Sequence, residues 1–337
     1  MRIAVIGTGL VGASIGLAAR VRLGATVAGV DPDPGPALEA GAIDEAADLE
    51  AALAGADAAF VAVPVPALPD VARATLAAAP ADCLVTDVGS VKSPVVEAVD
   101  DERFIGGHPL AGAEQGGAAA ARDDMFEGAT WFLTPTQRTS GIHLERLHRL
   151  LANLGARPAV IDPAEHDRAM ATVSHLPHVL ANVLVGLAGD AVPATGPSFR
   201  DATRVAGANP ELWAGIYAAN SAALDDALGA AIAALQQVRG ELGEGASLLD
   251  WQQRAAQHRD TLRAAAAGGP LAELHVVVPN RPGVIADIAL TLSRAGINIA
   301  DMSLAPSLDM ATGSLDLSVP AEREDRAREL LADLGLT

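Results

Sequence analysis

The chain contains one cysteine, few aromatic residues and too few basic residues to balance its acidic ones. Cys83 cannot form an internal disulfide alone or supply a cysteine-based metal cluster, so we expect neither, and a reducing cytoplasm is the simplest location. The 42 Asp and Glu exceed the 23 Lys and Arg, and the resulting net charge of −19 argues against a nucleic-acid partner. Aromatic residues make up 3% of the chain, so Ala, Val and Leu must build the core.

Long apolar runs are also missing. No uninterrupted run approaches the roughly 20 residues of a membrane span. Met1 and Arg2 lead directly into the apolar segment Ile3–Ile6, without the charged start and apolar stretch of a signal peptide. The sequence therefore predicts a soluble protein with no membrane partner, and its 337 residues are enough for two or three domains.

The first half of the chain alternates short apolar runs with longer helical stretches. The runs are continuous rather than alternating in polarity, which is typical of strands buried on both faces of a parallel sheet. They predict a doubly wound α/β domain over residues 1–162, with strands at Ile3–Ile6, Thr26–Val30, Ala58–Val63, Leu84–Val88, Phe104–Ile105, Trp131–Leu133 and Ala159–Ile161.

The second half predicts two further domains. Residues 163–267 are rich in Ala and Leu and indicate an all-α domain with two long helices, Glu165–Leu187 and Pro210–Leu242. Gly268-Gly269-Pro270 is typical of a linker. Residues 271–337 then follow the β-α-β-β-α order of a small α+β domain, with elements at Leu274–Val278, Val284–Ala295, Asn298–Leu304, Ser314–Val319 and Glu322–Leu334.

A glycine-rich turn predicts a dinucleotide site. Gly7, Gly9 and Gly12 follow the first strand and precede a predicted helix, Ala13–Arg20, whose N-terminus favours a pyrophosphate. Asp31 ends the second strand, where a carboxylate can bind both ribose hydroxyls and repel a 2′-phosphate. FAD proteins share this fingerprint, but the acid favours NAD over NADP. The predicted cofactor-binding residues are Gly7, Thr8, Gly9, Leu10, Val11, Gly12 and Asp31.

Two polar side chains follow the next strands of the predicted sheet. Ser90 follows the fourth strand and His108 follows the fifth. Ligands of open α/β sheets bind beyond the carboxyl ends of the strands, so we expect both side chains near the nicotinamide. A histidine with a pKa near 6.5 can accept a proton from a substrate hydroxyl at neutral pH, and we expect Ser90 to orient it. A loop-capping role is the alternative for His108 taken alone.

Five motifs, in order, resemble the prephenate/arogenate dehydrogenase family of tyrosine biosynthesis. The resemblance covers roughly residues 1–265, and Pro279–Val284 with Gly296–Ile299 resembles an ACT regulatory domain. The five motifs are Gly7–Gly12, Asp87–Lys92, His108–Glu114, Ser174–His178 and Phe199–Arg204.

The resemblance implies an NAD-dependent oxidative decarboxylation of prephenate to 4-hydroxyphenylpyruvate. His108 would then bind the C4 hydroxyl, supported by Ser90, and Arg204 would clamp a substrate carboxylate with its planar guanidinium. Arg200, four residues earlier, shares a face with Arg204 if the segment is helical. The resemblance also implies substrate contacts from His178, Ser174 and Glu114, a structural His175, and gating by Glu114, His166 and Asp167.

The resemblance further implies a homodimer through the helical domain and an effector in the ACT-like domain. The effector would be tyrosine or another aromatic amino acid. Its carboxylate would bind at exposed helix N–H groups after the first strand of that domain. The predicted regulatory residues are Asn280, Arg281, Pro282, Gly283 and Asn298.

Other functions remain open on the sequence alone. Arogenate dehydrogenase is one, although His178 as a donor to an anionic group favours prephenate. A dehydrogenase of the β-hydroxyacid or imine-reductase type would use a Lys or Asp in the helical domain, and residues 163–267 contain no Lys. A non-enzymatic sensor would not need His108, Ser90 and Arg204 together. His175 and His178 lack a third ligand, so no metal site is predicted.

Overall fold

A computed structural model describes residues 1–112, 115–189, 196–307 and 311–336. The chain divides into two compact units, residues 1–233 and residues 234–337. Within residues 1–233, eight strands form one sheet of order β3-β2-β1-β4-β5-β6-β7-β8. The strands are β1 Arg2–Ile6, β2 Thr26–Val30, β3 Glu45–Ala46, β4 Ala58–Val61, β5 Leu84–Asp87, β6 Phe104–Pro109, β7 Thr130–Thr134 and β8 Arg157–Val160.

The predicted strands are confirmed, with two differences. All neighbouring strands are parallel except β6 and β7, which are antiparallel. The two-residue strand β3 pairs with β2 and was not predicted, because Glu45 and Ala46 form no apolar run. The six helices between the strands are α1 Leu10–Leu23, α2 Gly35–Glu39, α3 Leu49–Leu53, α4 Leu68–Ala78, α5 Ser93–Ala98 and α6 Gly141–Asn153.

The core lies on both faces of the sheet, as the continuous apolar runs predict. In β1, Ile3 and Val5 pack into the cluster on one face, and Ala4 and Ile6 pack into the cluster on the other. Three of the scarce aromatic residues meet in the first cluster, where Trp131 packs against Phe60 and Phe126. The sheet is therefore buried on both sides, and its strand ends are the places where polar side chains can meet a ligand.

The first predicted long helix is divided into three segments. α7 covers Pro163–Met170, a π-helical turn covers Ala171–His175, and α8 covers Leu176–Ala188. The helical path therefore continues through Pro177, which lies in the first turn of α8, where its missing N–H costs no hydrogen bond. The π-helical turn adds a residue to the repeat and is a common feature of functional sites.

This stretch, Pro163–Ala188, is by length and composition alone apolar enough to cross a membrane. The search for uninterrupted apolar runs missed it, because charged residues interrupt its first turns. One of them, Asp167, is buried and accepts a hydrogen bond from the Ser93 N–H at the start of α5. We therefore interpret the stretch as part of the folded helical region.

The second predicted long helix ends and restarts at Asn220. α10 covers Pro210–Ala219 and α11 covers Ser221–Gly240, while a shorter helix, α9, covers Pro197–Thr203. The Asn220 side chain lies within hydrogen-bonding distance of the Asp167 carbonyl and the His175 ring, so buried polar contacts hold the residue outside regular helix geometry. The apolar pattern shows no such break, because both halves are rich in Ala and Leu, and Asn220 itself is the local signal for it.

Residues 234–337 contain the predicted small α+β domain. After helix α12, Gly245–Ala267, three antiparallel strands form a sheet of order β10-β11-β9. The order of elements agrees with the predicted β-α-β-β-α pattern, and Leu274, Ile288 and Leu315 belong to one core between sheet and helices. The elements are β9 Leu271–Pro279, α13 Val284–Arg294, β10 Asp301–Pro306, β11 Thr312–Pro320 and α14 Glu324–Asp333.

Candidate active site

The glycine turn after β1 has the geometry of a dinucleotide cradle. A Cβ atom on Gly12 would lie 1.9 Å from the Gly7 carbonyl oxygen, so only glycine lets α1 pack this closely on the turn. Gly7 has φ +93°, and a Cβ there would lie 2.3 Å from the Ala62 carbonyl oxygen. At Gly9 a Cβ would meet nothing within 4 Å, so open space lies beside the first turn of α1. These residues fit a bound pyrophosphate.

Asp31 lies beside this turn, immediately after β2. Its Oδ2 accepts a hydrogen bond from the Thr8 backbone N–H at 2.7 Å, and its Oδ1 accepts one from the Asp33 N–H at 2.9 Å. The carboxylate is thus held at the end of the strand, where it is only partly buried. This placement fits the predicted role of Asp31 as the ribose-binding acid.

A buried ion pair joins the ends of β5 and β6. Lys92, the only lysine in the sequence, and Asp87 both have side-chain exposures of 0% and form a salt bridge. Lys92 Nζ also donates to the Gly107 carbonyl oxygen at 2.7 Å, and Asp87 accepts from the Gly107 N–H at 3.1 Å. Burial lowers the pKa of Lys92 more than the neighbouring Asp87 carboxylate raises it. This pair fixes the backbone directly before His108.

His108 is the last polar side chain of β6 and contacts a second histidine. Its Nδ1 lies 2.8 Å from Nε2 of His166, and His166 Nδ1 lies 2.9 Å from Oδ1 of Asp167. His166 has a side-chain exposure of 0%, and Phe132 packs against its ring edge to face. In the described ranges the partner of His108 Nδ1 is therefore His166, whereas the sequence analysis expected Ser90 to orient this ring.

Asp167 connects this pair of histidines to the start of α5. Its Oδ1 and Oδ2 accept hydrogen bonds from the backbone N–H groups of Lys92 and Ser93, each at 2.7 Å. Burial alone would raise the pKa of Asp167, but hydrogen bonds from the His166 ring, from Ser93 and from the Lys92 backbone hold it below its ordinary value. Asp167 is therefore an ionised acceptor.

The surroundings keep His108 uncharged at neutral pH. Burial lowers its pKa well below the ordinary value, and the neighbouring His166, Lys92 and His175 act in the same direction. Asp167 acts in the opposite direction with a smaller effect. An uncharged imidazole has a free lone pair, so His108 can accept a proton at neutral pH.

A second polar cluster lies on the helices. The His178 ring stacks on Trp213 at 3.7 Å between centroids, and its Nδ1 contacts the Tyr217 hydroxyl. Its Nε2 is buried and makes no hydrogen bond of standard geometry among the described residues. Burial lowers the pKa of this ring, and an interaction with the Val205 backbone opposes the shift. His175 instead meets Asn220 at 3.1 Å, and burial lowers its pKa to about 4. The two histidines of the Ser174–His178 motif therefore face different surroundings.

The other predicted site residues are placed as follows. Ser90 is partly exposed after β5, and Ser174 lies in the π-helical turn. Arg204 is exposed and opens a 3₁₀ turn, Arg204–Gly207, directly after α9. Arg200 lies within α9, so the two arginines are not on one continuous α-helical face. Glu114 lies outside the described residues.

Sequence reasoning missed the contacts that join these residues. His166 and Asp167 were noted as gating candidates, but their burial and their contact with His108 were not foreseen. Tyr217 and Asn220 had no assigned role. Asn220 has a local signal, because Asn is common where a helix ends. No pattern in the sequence pairs residues 108 and 166, since the contact depends on the fold.

Family models match three consecutive parts of the chain. The model of the prephenate dehydrogenase nucleotide-binding domain matches residues 15–160, and that of the prephenate dehydrogenase dimerization domain matches residues 162–247. An ACT domain model matches residues 272–335.

Individual proteins show the same similarity. Prephenate dehydrogenase of Bacillus subtilis is 31% identical over an alignment 347 positions long, which covers 96% of this chain and 92% of that protein. Among solved structures, Synechocystis arogenate dehydrogenase has a TM-score of 0.69 and 32% identity. The match covers 78% of this chain and 100% of that chain. Aquifex aeolicus prephenate dehydrogenase, solved with hydroxyphenyl propionate and NAD+, has a TM-score of 0.71 and 27% identity, with coverages of 78% and 98%.

Proposed function

Because this chain belongs to the prephenate dehydrogenase family, we propose that it oxidatively decarboxylates prephenate to 4-hydroxyphenylpyruvate with NAD+. The observation that carries the proposal is the placement of His108. It lies at the end of β6, in the sheet whose β1 end forms the glycine cradle, and a buried histidine contacts one of its ring nitrogens. The other nitrogen, Nε2, is left for the substrate hydroxyl.

NAD+ supplies the acceptor for the hydride that leaves C4 of the substrate. Gly7–Gly12 and Asp31 would hold it, as the open space at Gly9 and the acid beside the turn allow. His108 takes the proton of the C4 hydroxyl, and the oxygen becomes a carbonyl. The bond from the ring to its carboxylate then breaks and CO2 leaves. The electron pair of the broken bond stays with the ring and makes it aromatic. His108 then returns the proton to the phenolic oxygen.

The proposed substrate site combines residues of the sheet region with residues of the helices that follow it, all within residues 1–233. Arg204 suits one carboxylate, because a guanidinium binds a carboxylate through two parallel hydrogen bonds. The 3₁₀ turn that begins at Arg204 packs against α8, the helix that carries His178. In a chain of net charge −19, such local donors must hold a dianionic substrate against an unfavourable overall field. Ser174 remains a predicted substrate contact, and Ser90 remains a predicted support of His108.

The hydrogen bonds of His178 favour the keto acid prephenate over the amino acid arogenate. Asn182 Nδ2 donates to the His178 carbonyl oxygen at 2.9 Å, which fixes the orientation of this amide. The same Nδ2 lies 3.2 Å from His178 Nδ1, so Nδ1 accepts and Nε2 carries the proton. A buried N–H donor suits a carbonyl or carboxylate oxygen and disfavours an ammonium group.

His178→Leu is expected to lower kcat/KM for prephenate by about 10- to 100-fold, because a buried hydrogen bond to a polar or charged group is lost. The value for arogenate should change less. The matched control is His178→Gln, which keeps an N–H donor and should retain most of the prephenate activity. Steady-state assays with both substrates measure the effect, and an equal loss for both would contradict this role.

The experiment that tests the proposed function is an assay of the purified chain with prephenate and arogenate, each with NAD+ and NADP+. We expect the highest kcat/KM with prephenate and NAD+, together with release of CO2 and 4-hydroxyphenylpyruvate. Arogenate as the preferred substrate would support the second candidate, for which the Synechocystis relative is the observation. Absence of turnover in all four combinations would refute a dehydrogenase function.

The partner that fits the helical region is a second copy of this chain. The matched family model is described as a dimerization domain, and α8 exposes a row of apolar side chains. These side chains are Leu180, Val183, Leu184 and Leu187. Exposed apolar area of this kind is typical of subunit interfaces.

An aromatic amino acid is the effector that fits the ACT domain. Gly283, with φ +89°, precedes α13 and lets the turn Asn280–Gly283 lead into the helix N-terminus, where a carboxylate can bind. Arg281 pairs with Asp287 at 3.2 Å, and Asn298 is exposed beyond the end of α13. The proposed effector site comprises Asn280, Arg281, Pro282, Gly283 and Asn298.

L-Tyrosine is expected to lower turnover and to raise the melting temperature, since a ligand that binds only the folded state stabilises it by mass action. At a concentration about 100 times its Kd this stabilisation is about 2.7 kcal/mol. Initial-rate assays and thermal melts measure both effects, with D-tyrosine as the control. If L-tyrosine changes neither quantity, the effector proposal is wrong.

A further inference from the structure

We propose that His166 and Asp167 are positioning residues that fix the tautomer of His108, so that its Nε2 is the bare nitrogen that receives the substrate proton. This inference rests on the proposed function for the identity of the proton donor. The tautomer itself follows from hydrogen bonds on the protein side alone.

Asp167 sets the direction of the hydrogen bonds. Its two carboxylate oxygens accept from the backbone N–H groups of Lys92 and Ser93 at 2.7 Å each, and a backbone N–H can only donate. An ionised carboxylate has no proton to donate, so Asp167 accepts from its third neighbour, His166, as well. His166 Nδ1, at 2.9 Å, must carry a proton and donate it.

The proton on His166 Nδ1 in turn determines which nitrogen of His108 carries a proton. With its proton on Nδ1, neutral His166 has a lone pair on Nε2. His108 Nδ1 lies 2.8 Å from this atom and must donate to it. Neutral His108 therefore has its proton on Nδ1 and a lone pair on Nε2, which is the form required of a general base.

Burial keeps this arrangement in place. His166 is fully buried beneath the Phe132 ring, and Asp167 is 4% exposed. Asn220 donates to the Asp167 backbone carbonyl at 2.8 Å, so the residue is held by both its side chain and its main chain. Two fully or nearly fully buried side chains with this many partners are not placed to open and close an entrance. Positioning, and not gating, is the role that this geometry supports.

The same contacts provide a path for the positive charge after His108 takes the proton. Protonation at Nε2 makes it an imidazolium, which its neighbours His166, His175 and Lys92 all disfavour and Asp167 favours. The Nδ1 proton of His108 can then shift to His166 Nε2, which leaves His108 neutral and places the imidazolium next to the Asp167 carboxylate. No proton is gained or lost in this shift, and it reverses when the phenolic oxygen is protonated.

Asp167→Asn tests the inference, because an amide can donate where the carboxylate only accepts. If the amide nitrogen takes the position of Oδ1, it loses the bond from the Lys92 N–H, donates to His166 Nδ1, reverses both histidine tautomers and places a proton on His108 Nε2. If the amide oxygen takes that position, the wild-type tautomer is kept, and nitrogen NMR of the variant distinguishes the two orientations. The expected loss of activity belongs to the reversed tautomer. We expect kcat to fall by about 10²- to 10⁴-fold, as for other catalytic histidines held in the wrong tautomer. KM for prephenate and Kd for NAD+ should stay within about threefold of wild type.

A matched control separates this effect from damage to α7. Asp162 caps the same helix, and its side chain accepts from the Ala164 and Glu165 N–H groups at 2.9 and 3.1 Å. Its carbonyl oxygen accepts the helical hydrogen bond of the His166 N–H, which an alanine at this position keeps. Asp162→Ala should lower the melting temperature but keep wild-type kcat. Loss of kcat in this control equal to that in Asp167→Asn would overturn the inference, since helix damage would then explain both.

A pair of substitutions at His166 provides the test if Asp167→Asn does not fold. His166→Leu removes both hydrogen bonds, whereas His166→Gln keeps an amide oxygen that can accept from His108 Nδ1. We expect the glutamine variant to recover at least about tenfold in kcat over the leucine variant. Equal kcat in the two variants would overturn the inference.

Nitrogen NMR of histidine-labelled protein reads the tautomer without substrate. The His108 signals are assigned by their loss in His108→Asn. At neutral pH, wild-type His108 should carry its proton on Nδ1, and a proton on Nε2 would overturn the inference whatever the activity. If this tautomer is found but the wild-type chain turns over neither prephenate nor arogenate, the proposed function fails and the positioning of His108 stands.

Discussion

His108→Asn is expected to lower kcat by about 10²- to 10⁴-fold, the usual contribution of a general base. The asparagine amide can still donate to Nε2 of His166, so the buried neighbours remain satisfied. No atom of the introduced asparagine side chain can take the hydroxyl proton at neutral pH. Kd for NAD+ should be unchanged, because the glycine cradle and Asp31 are untouched. Stopped-flow or steady-state formation of NADH, with a separate NAD+ titration, measures both quantities.

The control is His148→Asn, the same substitution at an exposed position in α6. It should leave kcat unchanged. Near-normal turnover in His108→Asn would contradict the role of His108.

The pH profile of wild type gives a second measurement of the same prediction. The folded-state pKa of His108 is lowered, so the base stays neutral below the ordinary pKa of histidine. The acidic limb of kcat/KM should therefore lie below about pH 6.5, and activity should fall only as the pH passes through the lowered value. An acidic limb above this pH that depends on His108 would contradict the lowered pKa.

Lys92→Met is expected to lower the free energy of unfolding by about 3–5 kcal/mol, because it leaves the Asp87 carboxylate buried without its cation. Asp87 keeps hydrogen bonds from the Gly89 and Gly107 N–H groups, at 2.8 and 3.1 Å, which places the effect toward the lower end. In the unit formed by residues 1–233 such a loss lowers the melting temperature by on the order of 10 °C. Thermal and urea unfolding measure the change.

Two further variants make this prediction specific. Asp87→Asn together with Lys92→Met removes both charges and should recover a large part of the loss. Arg149→Met breaks an exposed pair with Glu145 on α6 and should cost less than about 1 kcal/mol. If Lys92→Met costs no more than Arg149→Met, the buried pair does not have the proposed importance.

Much of the fold follows from local patterns. β2 occupies the predicted range Thr26–Val30, and the glycines at positions 7 and 12 lie at close backbone contacts as the fingerprint requires. The direction of β7 was not predictable, because an apolar run does not encode whether its partner is parallel. The π-helical turn before Pro177 and the interruption at Asn220 depend on buried contacts between helices. A one-dimensional pattern does not contain them.

The residues of the site were predictable from local patterns, whereas the contacts between them were not. His108 and Asp31 were identifiable because their positions at strand ends have a chemical meaning that sequence order alone supplies. The contact of His108 with His166 joins residues 58 apart in the chain, and the hydrogen bonds from the Lys92 and Ser93 backbone to Asp167 join residues 75 and 74 apart. These contacts exist only after α7 has packed against the start of α5. Residue types were thus predictable, and the hydrogen-bond directions were not.

The burial of Lys92 gives the protein a built-in probe of its own opening. Because it is the only lysine and has no exposed surface, amine-specific acylating reagents have no lysine side chain to modify while residues 1–233 stay folded. Each acylated lysine then marks one molecule that has opened. The α-amino group of Met1 is acylated in the folded protein as well, so the increment that follows this first one is the one to measure. Its rate, followed over time in intact-protein mass spectra, would report how often the β5–β6 region becomes exposed under native conditions.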